Sequence, residues 1–312
     1  MKQRAAIVAA ALVFMGASAA PGSVAQWERR AELPVPRSEV AAAVIDDEIV
    51  IAGGFMADGT ATAEVDAYAP ASDSWRRLPD LPVPLHHAMA AAGKGRLFVV
   101  GGYGINGRPR RSAFALASGR WQRLPPLPFP RAAAGAAVVA GRLVVVGGVV
   151  RVSGSRLARN ALVLDLGARR WSVVAGPTPR EHLGVTSLGR TAYAVAGRRF
   201  GLDTNLAAFE SWTPGARRWK RLPAVPTPRG GTGAAASAGR VVSVGGEEPG
   251  GTIAETYVYL VRAQRWQQLP DLPTSRHGVG VAALGGSVFV IGGGTVPGLS
   301  VSSANEALRL AP

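Results

Sequence analysis

The chain of 312 residues contains no cysteine, four histidines, and lysine only at Lys2, Lys94 and Lys220. Without cysteine there can be no disulfide, no thiolate nucleophile, no cysteine-ligated metal and no lipid attached to a leader cysteine. Beyond the first residues no apolar run is long enough to cross the ~30 Å of a bilayer core. Because lysine is so rare, nearly all of the basic charge is arginine, and the net charge is +15. Such a surface attracts anionic partners in a salt-dependent way. Aromatic residues are few, and the arginines are spread along the chain with little aromatic interleaving, which argues against nucleic acid.

The beginning of the chain reads as an export leader. Met1-Lys-Gln-Arg4 is basic, Ala5 to Met15 is a short apolar core, and Ala17-Ser-Ala19 offers the small residues of a cleavage site. Residues 1–19 are therefore expected to be a signal peptide and 20–312 the folded body, exported to the periplasm or outside the cell, with no membrane span after cleavage.

The rest repeats. Trp27, Trp75, Trp121, Trp171, Trp219 and Trp266 form one column with a period of about 48 residues, which marks a repeat architecture. Gly53-Gly54, Gly101-Gly102, Gly147-Gly148, Ala196-Gly197, Gly245-Gly246 and Gly292-Gly293 form a second column in phase with the first. Each period holds four short strands, here called a to d, of which a and b are joined by a tight hairpin. The a strands are built from small side chains, as in Ala41–Val44, Ala88–Ala92 and Gly230–Ala236, while the d strands carry tryptophan and leucine. Small residues on converging inner strands and bulk on diverging outer ones are what a closed propeller requires, so the fold is expected to be all-β with six blades.

Between each tryptophan and the next a strand runs a proline-rich connection such as Leu124-Pro-Pro-Leu-Pro-Phe-Pro-Arg131, extended because proline cannot pair inside a sheet. Together with the glycine pairs and Glu64-Val-Asp-Ala-Tyr68 ahead of Trp75, this resembles the kelch repeat over residues 27 to 312. The resemblance implies a six-bladed ring. The chain opens on a lone d strand, Trp27 to Leu33, and its last repeat stops at a c strand, Asn305 to Leu310. The N-terminal strand is therefore expected to complete the sheet formed by residues 277 to 310.

Candidate function gathers where the d-to-a connections meet the axis: Arg37-Ser-Glu39, Leu85-His86-His87, Arg131, Arg180-Glu181-His182, Arg229 and Arg276-His277. All four histidines lie in this ring. Three readings stand side by side. The arginines bond to loop carbonyls; or Arg37, His86, His87, Arg131, Arg180, His182, Arg229, Arg276 and His277 contact an acidic ligand; or the histidines hold a metal with Glu39 or Glu181. Since neighbours in a strand alternate, at most one of His86 and His87 is expected to face inward. The leading expectation is a monomeric binding or scaffold protein that recognises an acidic carbohydrate or a protein partner over the long b-to-c loops, with no cofactor, no metal and no catalytic residue.

Resemblance supplies an enzymatic alternative. The chain is distantly similar to the N-acetylneuraminate mutarotase type of kelch ring, which implies Glu247, after Gly245-Gly246, as a base. Ile253 stands where an arginine would hold the sugar carboxylate, so that role would pass to Arg229 or Arg276. The copper site of the galactose-oxidase type needs a cysteine-linked tyrosine and cannot form here.

Overall fold

In the computed structural model, which describes residues 25–154 and 156–310, six four-stranded antiparallel sheets ring a common axis. In the first blade strands a to d are Ala41–Ile45, Glu48–Ala52, Val65–Ala69 and Ser74–Arg77. Blade two runs from Met89 to Arg123, blade three from Gly135 to Ala175, blade four from Gly184 to Arg221 and blade five from Gly233 to Leu269. Blade six is made of Gly280–Leu284, Ser287–Ile291 and Asn305–Arg309, with Trp27–Arg29 as its fourth strand. Trp27 pairs with Leu308 and Arg29 with Glu306. Regular pairing ends there, and Arg30 and Leu33 remain attached through single amide bonds to the carbonyls of Asn305 and Ser303. The expected signal peptide, residues 1–19, lies outside the described residues. No helix among them is long and apolar enough to cross a membrane.

The radial gradient in side-chain size is the physical basis of this ring. Ala42, Ala90, Ala136, Val185, Ala234 and Ala282, one from each a strand, surround an axial channel of about 210 Å³. A Cβ on Gly233 would lie 2.1 Å from Val281 in the next blade, so glycine there lets two inner strands approach. Farther out, the wedge between two sheets fills with larger residues. Between blades one and two these are Val50, Val65, Leu97, Val99, Phe114 and Leu116. The proline-rich connections contribute Leu33, Leu81, Leu127, Val225 and Leu272 to these wedges, all buried, each side chain contributing about 1.5–3 kcal/mol of transfer free energy.

The tryptophans bind the blades from outside. Each column indole donates its N–H to a carbonyl of the chain leaving the previous blade: Trp75 to Ala31, Trp121 to Pro79, Trp171 to Pro125, Trp219 to Ala175 and Trp266 to Pro223, all at 2.8–3.0 Å. Trp27 does the same with Pro270 at 2.9 Å. Except for Ala175, which ends a strand, these acceptors lie in the connections outside the ladders, where their carbonyls are available to the neighbouring indole.

Candidate functional site

The repeat arginines serve the frame. Arg37, Arg131, Arg180, Arg229 and Arg276 all have 0% exposure, and their guanidinium groups turn into their own blades instead of into the funnel. Arg37 reaches the Glu64 carbonyl at 3.0 Å and pairs with Asp66. Arg131 bonds to the Pro130 carbonyl and the Asn160 amide. Arg180 bonds to the carbonyls of Thr178, Ala194 and Ala196 and pairs with Glu210. Arg229 donates to the Glu255 carbonyl at 2.6 Å, and Arg276 to that of Ala304 at 2.9 Å and to Glu306 at 3.0 Å. Each therefore fastens the far end of a b-to-c loop, where buried carbonyls need donors. Burial lowers Arg131, Arg229 and Arg276 to about 10, which leaves all three charged near neutrality. Among the five arginines expected to contact a ligand, none presents its side chain to solvent; blade two manages with Leu85 in the same slot, also buried.

Two residues after each arginine slot comes Glu39, His87, Ala133, His182, Gly231 and Gly278, and all six have left-handed backbone with φ between 48° and 71°. Their amides form a run of five bonds around the axis, from Glu39 to Gly278. His87 N–H donates to Glu39 O, Ala133 to His87, His182 to Ala133, Gly231 to His182 and Gly278 to Gly231, at 2.8–3.1 Å. The unusual backbone breaks strand alternation, so His86 and His87 end up adjacent, with Nδ1 atoms 2.7 Å apart. His87 faces the axis. His86 stacks between Phe55 and Tyr103, with ring centroids at 3.8 and 5.2 Å.

At the axial mouth Glu39, His87 and His182 converge on a small cavity of about 90 Å³. His87 Nε2 is 2.9 Å from His182 Nε2 and 3.2 Å from Glu39 Oε2, and His182 Nε2 is 3.8 Å from the same oxygen. These three are the described residues that could hold a metal. Behind them, His182 Nδ1 donates to Glu181 Oε2 at 2.6 Å, and Glu181 accepts from Arg198 Nε at 3.0 Å. His277 sits beside the triangle, donating from Nε2 to the Val296 carbonyl at 3.1 Å, with Nδ1 3.3 Å from Glu39 and 3.5 Å from Glu247.

The charges follow from these contacts. Burial lowers His86 to about 4 and His87 to about 3, against the pull of Glu39, so both imidazoles are neutral near pH 7. Burial also opposes the charge on Glu39, but the surrounding histidines outweigh it and hold the carboxyl well below its ordinary value. For His277 burial is outweighed by the carboxylates of Glu39 and Glu247, and its value is raised. Glu181 is lowered because His182 and Arg198 overcome its desolvation.

Glu247 is closed off. It is 1% exposed; Oε1 lies 2.6 Å from Arg198 Nη1, and Oε2 accepts the Gly298 N–H at 2.9 Å. Its arginine partner is Arg198, not Arg229 or Arg276. Arg198 is the site residue that sequence reasoning passed over, although it was readable. The position after each glycine pair holds Phe55, Tyr103, Val149, Arg198, Glu247 and Gly294. In adjacent blades this column supplies the two aromatic walls around His86 and then the Arg198–Glu247 pair.

A second concavity opens among the b-to-c loops of blades three and four. A short hairpin, Val149–Arg151 with Arg156–Leu157, forms one wall of a groove of about 760 Å³. Arg151, Arg156, Arg159 and Arg199 line it around Phe129 and Leu157. All four arginines are exposed, and among the described residues no carboxylate lines the groove or pairs with them. This is where unneutralised positive charge and apolar surface meet.

Comparison with known proteins agrees with the repeat. The Kelch motif matches residues 36–82 and 130–178. Over 74 residues the chain is 31% identical to an F-box/kelch-repeat protein of Arabidopsis thaliana. That stretch covers 23% of this chain and 19% of the plant protein, so the match spans about a fifth of the relative's length.

Proposed function

Since the chain is a six-bladed β-propeller of the kelch-repeat family, suited to protein binding or scaffolding, we propose that it binds an anionic partner in the groove between the b-to-c loops of blades three and four. The observation that carries this reading is the group of four exposed arginines, Arg151, Arg156, Arg159 and Arg199, with no acidic residue lining the same groove. Unpaired guanidinium groups on one wall suit forked hydrogen bonding to carboxylates or sulfates. Phe129 and Leu157 offer apolar surface for a sugar face or an aliphatic side chain. Loops on a rigid frame are where propellers place recognition. An acidic glycan and an acidic segment of a protein share this chemistry. The leader-like residues 1–19 support export, to the periplasm or beyond.

The test is binding to an array of sulfated and carboxylated glycans, alongside acidic peptides, at low and high salt. Arg151→Glu with Arg156→Glu is expected to abolish binding, and raised salt to weaken it in the wild type. Peptide binding without glycan binding would assign the groove to a protein partner. If neither class binds in a salt-sensitive way, the reading fails.

A further inference from the structure

We propose that the axial mouth is a binding site for a single divalent cation of the Zn2+ type, ligated by His87 Nε2, His182 Nε2 and Glu39 Oε2, with a fourth position open to the axial cavity. The three atoms are separated by 2.9, 3.2 and 3.8 Å. Zinc holds nitrogen and oxygen ligands at about 2.0–2.2 Å in a tetrahedron, which sets ligand–ligand separations of about 3.3 Å. The mean of the observed triangle is close to that, so shifts of a few tenths of an ångström complete it. Two imidazoles, one carboxylate and one open position form a donor set that zinc takes.

The surroundings are built for ligation. His182 gives its Nδ1 proton to Glu181, which is itself held by Arg198. That bond fixes the tautomer, so Nε2 of His182 carries a lone pair aimed at the axis, and carboxylate support of this kind raises the basicity of a ligating imidazole. His86 contacts Nδ1 of His87 and is clamped between Phe55 and Tyr103, which orients the second ring. Glu39 is steadied through Oε1 by His277, leaving Oε2 for the triangle. When the His182 ring is neutral, its Nε2 and the Glu39 carboxylate are both acceptors, and the triangle holds a single proton on His87 Nε2. A divalent cation in its place satisfies three lone pairs at once.

The left-handed backbone makes this possible. Glu39, His87 and His182 occupy one repeat position in blades one, two and four, while the same position holds Ala133, Gly231 and Gly278 in the others. Three large ligands therefore share the mouth with three small residues, leaving the cavity lined by Ala134, Leu183, Thr232 and Val279 beside the fourth position. That opening fits a water molecule or a small anion. This site is separate from the arginine groove, and either can exist without the other.

The experiment uses full-length protein purified without metal-affinity resin, stripped with EDTA and titrated with Co2+, whose tetrahedral complexes absorb visible light strongly. The wild type is expected to take up one Co2+ per chain, with the visible band bleached by Zn2+ and the melting temperature raised by either ion. His87→Gln and His182→Gln should lose the band. Glu181→Gln, which removes the carboxylate charge behind His182 and none of the three ligands, should keep the stoichiometry with affinity reduced about 10–100-fold. Circular dichroism checks that each variant is folded; if one is not, the wild-type stoichiometry and the Zn2+ displacement decide. Failure of the wild type to bind Co2+ or Zn2+ stoichiometrically overturns the proposal. So does a band that persists undiminished in folded His87→Gln or His182→Gln.

Discussion

The indole N–H of Trp27 donates to the carbonyl of Pro270 at 2.9 Å, across 243 residues of chain. It is the same contact that every other column tryptophan makes with the blade before it, and here it fastens the N-terminal strand of blade six to blade five. Without Trp27–Arg29 the edge of Asn305–Arg309 would be left unpaired. Trp27→Phe removes the hydrogen bond and part of the ring contact and should lower stability by about 1 kcal/mol or somewhat more. Removal of the chain up to residue 36 takes away the strand itself and should abolish cooperative unfolding. Urea titration followed by tryptophan fluorescence checks both, and a truncated protein that melts like the full chain would show that the ring does not need this strand.

Asp73 gives the docking of the N-terminal segment on blade one a pH dependence. Its carboxylate accepts from the Tyr68 hydroxyl at 2.5 Å and from the Ala31 N–H at 2.9 Å, and these bonds hold it below its ordinary value. A carboxyl lowered in the folded state adds stability above the unfolded value of about 3.9, and that stability is lost as the pH falls through the folded value. Asp73→Ala should therefore be less stable than wild type at pH 7 and should lose less stability on acidification below pH 4. Equal slopes for the two proteins in acid would remove Asp73 from the account.

Breaking the Arg180–Glu210 pair should be costly. Arg180→Met leaves a buried carboxylate without its partner, a loss of about 3–5 kcal/mol by analogy with other buried pairs. Arg131 has no acidic partner, only the Pro130 carbonyl and Asn160. Arg131→Met should cost less, about 1–3 kcal/mol, because the groups left behind are neutral. Denaturant midpoints for the two variants compare them directly, and the reverse order would contradict the fastening role described here.

Gly278 is the ring residue that the geometry protects most closely. Its φ is 59°, and a Cβ there would lie 2.5 Å from Glu39 Oε1. Gly278→Ala should cost roughly 1–3 kcal/mol in backbone strain and displace the Glu39 side chain. Thermal denaturation measures the first effect. Loss of Co2+ affinity out of proportion to the change in stability would report the second.

Much of this architecture was legible because six copies of one pattern report on each other. The tryptophan and glycine columns, the alanine-rich inner strands and the proline-rich connections each map onto a layer of the ring. The histidine ring was legible too, since repeat phase alone brings residues 86, 87, 182 and 277 to one mouth. The direction of the side chains was not. Arg37 and its counterparts stand next to the axis in sequence, yet the carbonyls at the ends of the b-to-c loops draw them into the blades. His86 and His87 were expected to alternate as strand residues do, but the left-handed turn at His87 sets them side by side. The arginine groove depends on how two variable loops lean together, and no repeat pattern encodes that.

The run of amide bonds from Glu39 through His87, Ala133, His182 and Gly231 to Gly278 also bears on how the molecule comes apart. A blade in an open array can peel away after losing one neighbour. Here His87, Ala133, His182 and Gly231 are each tied on both sides, so swinging out any one of blades two to five pulls on both of its neighbours at the hub. Deuterium should therefore enter these amides only when the entire disc opens, making the narrow centre, rather than the bulky rim, the last region to lose protection.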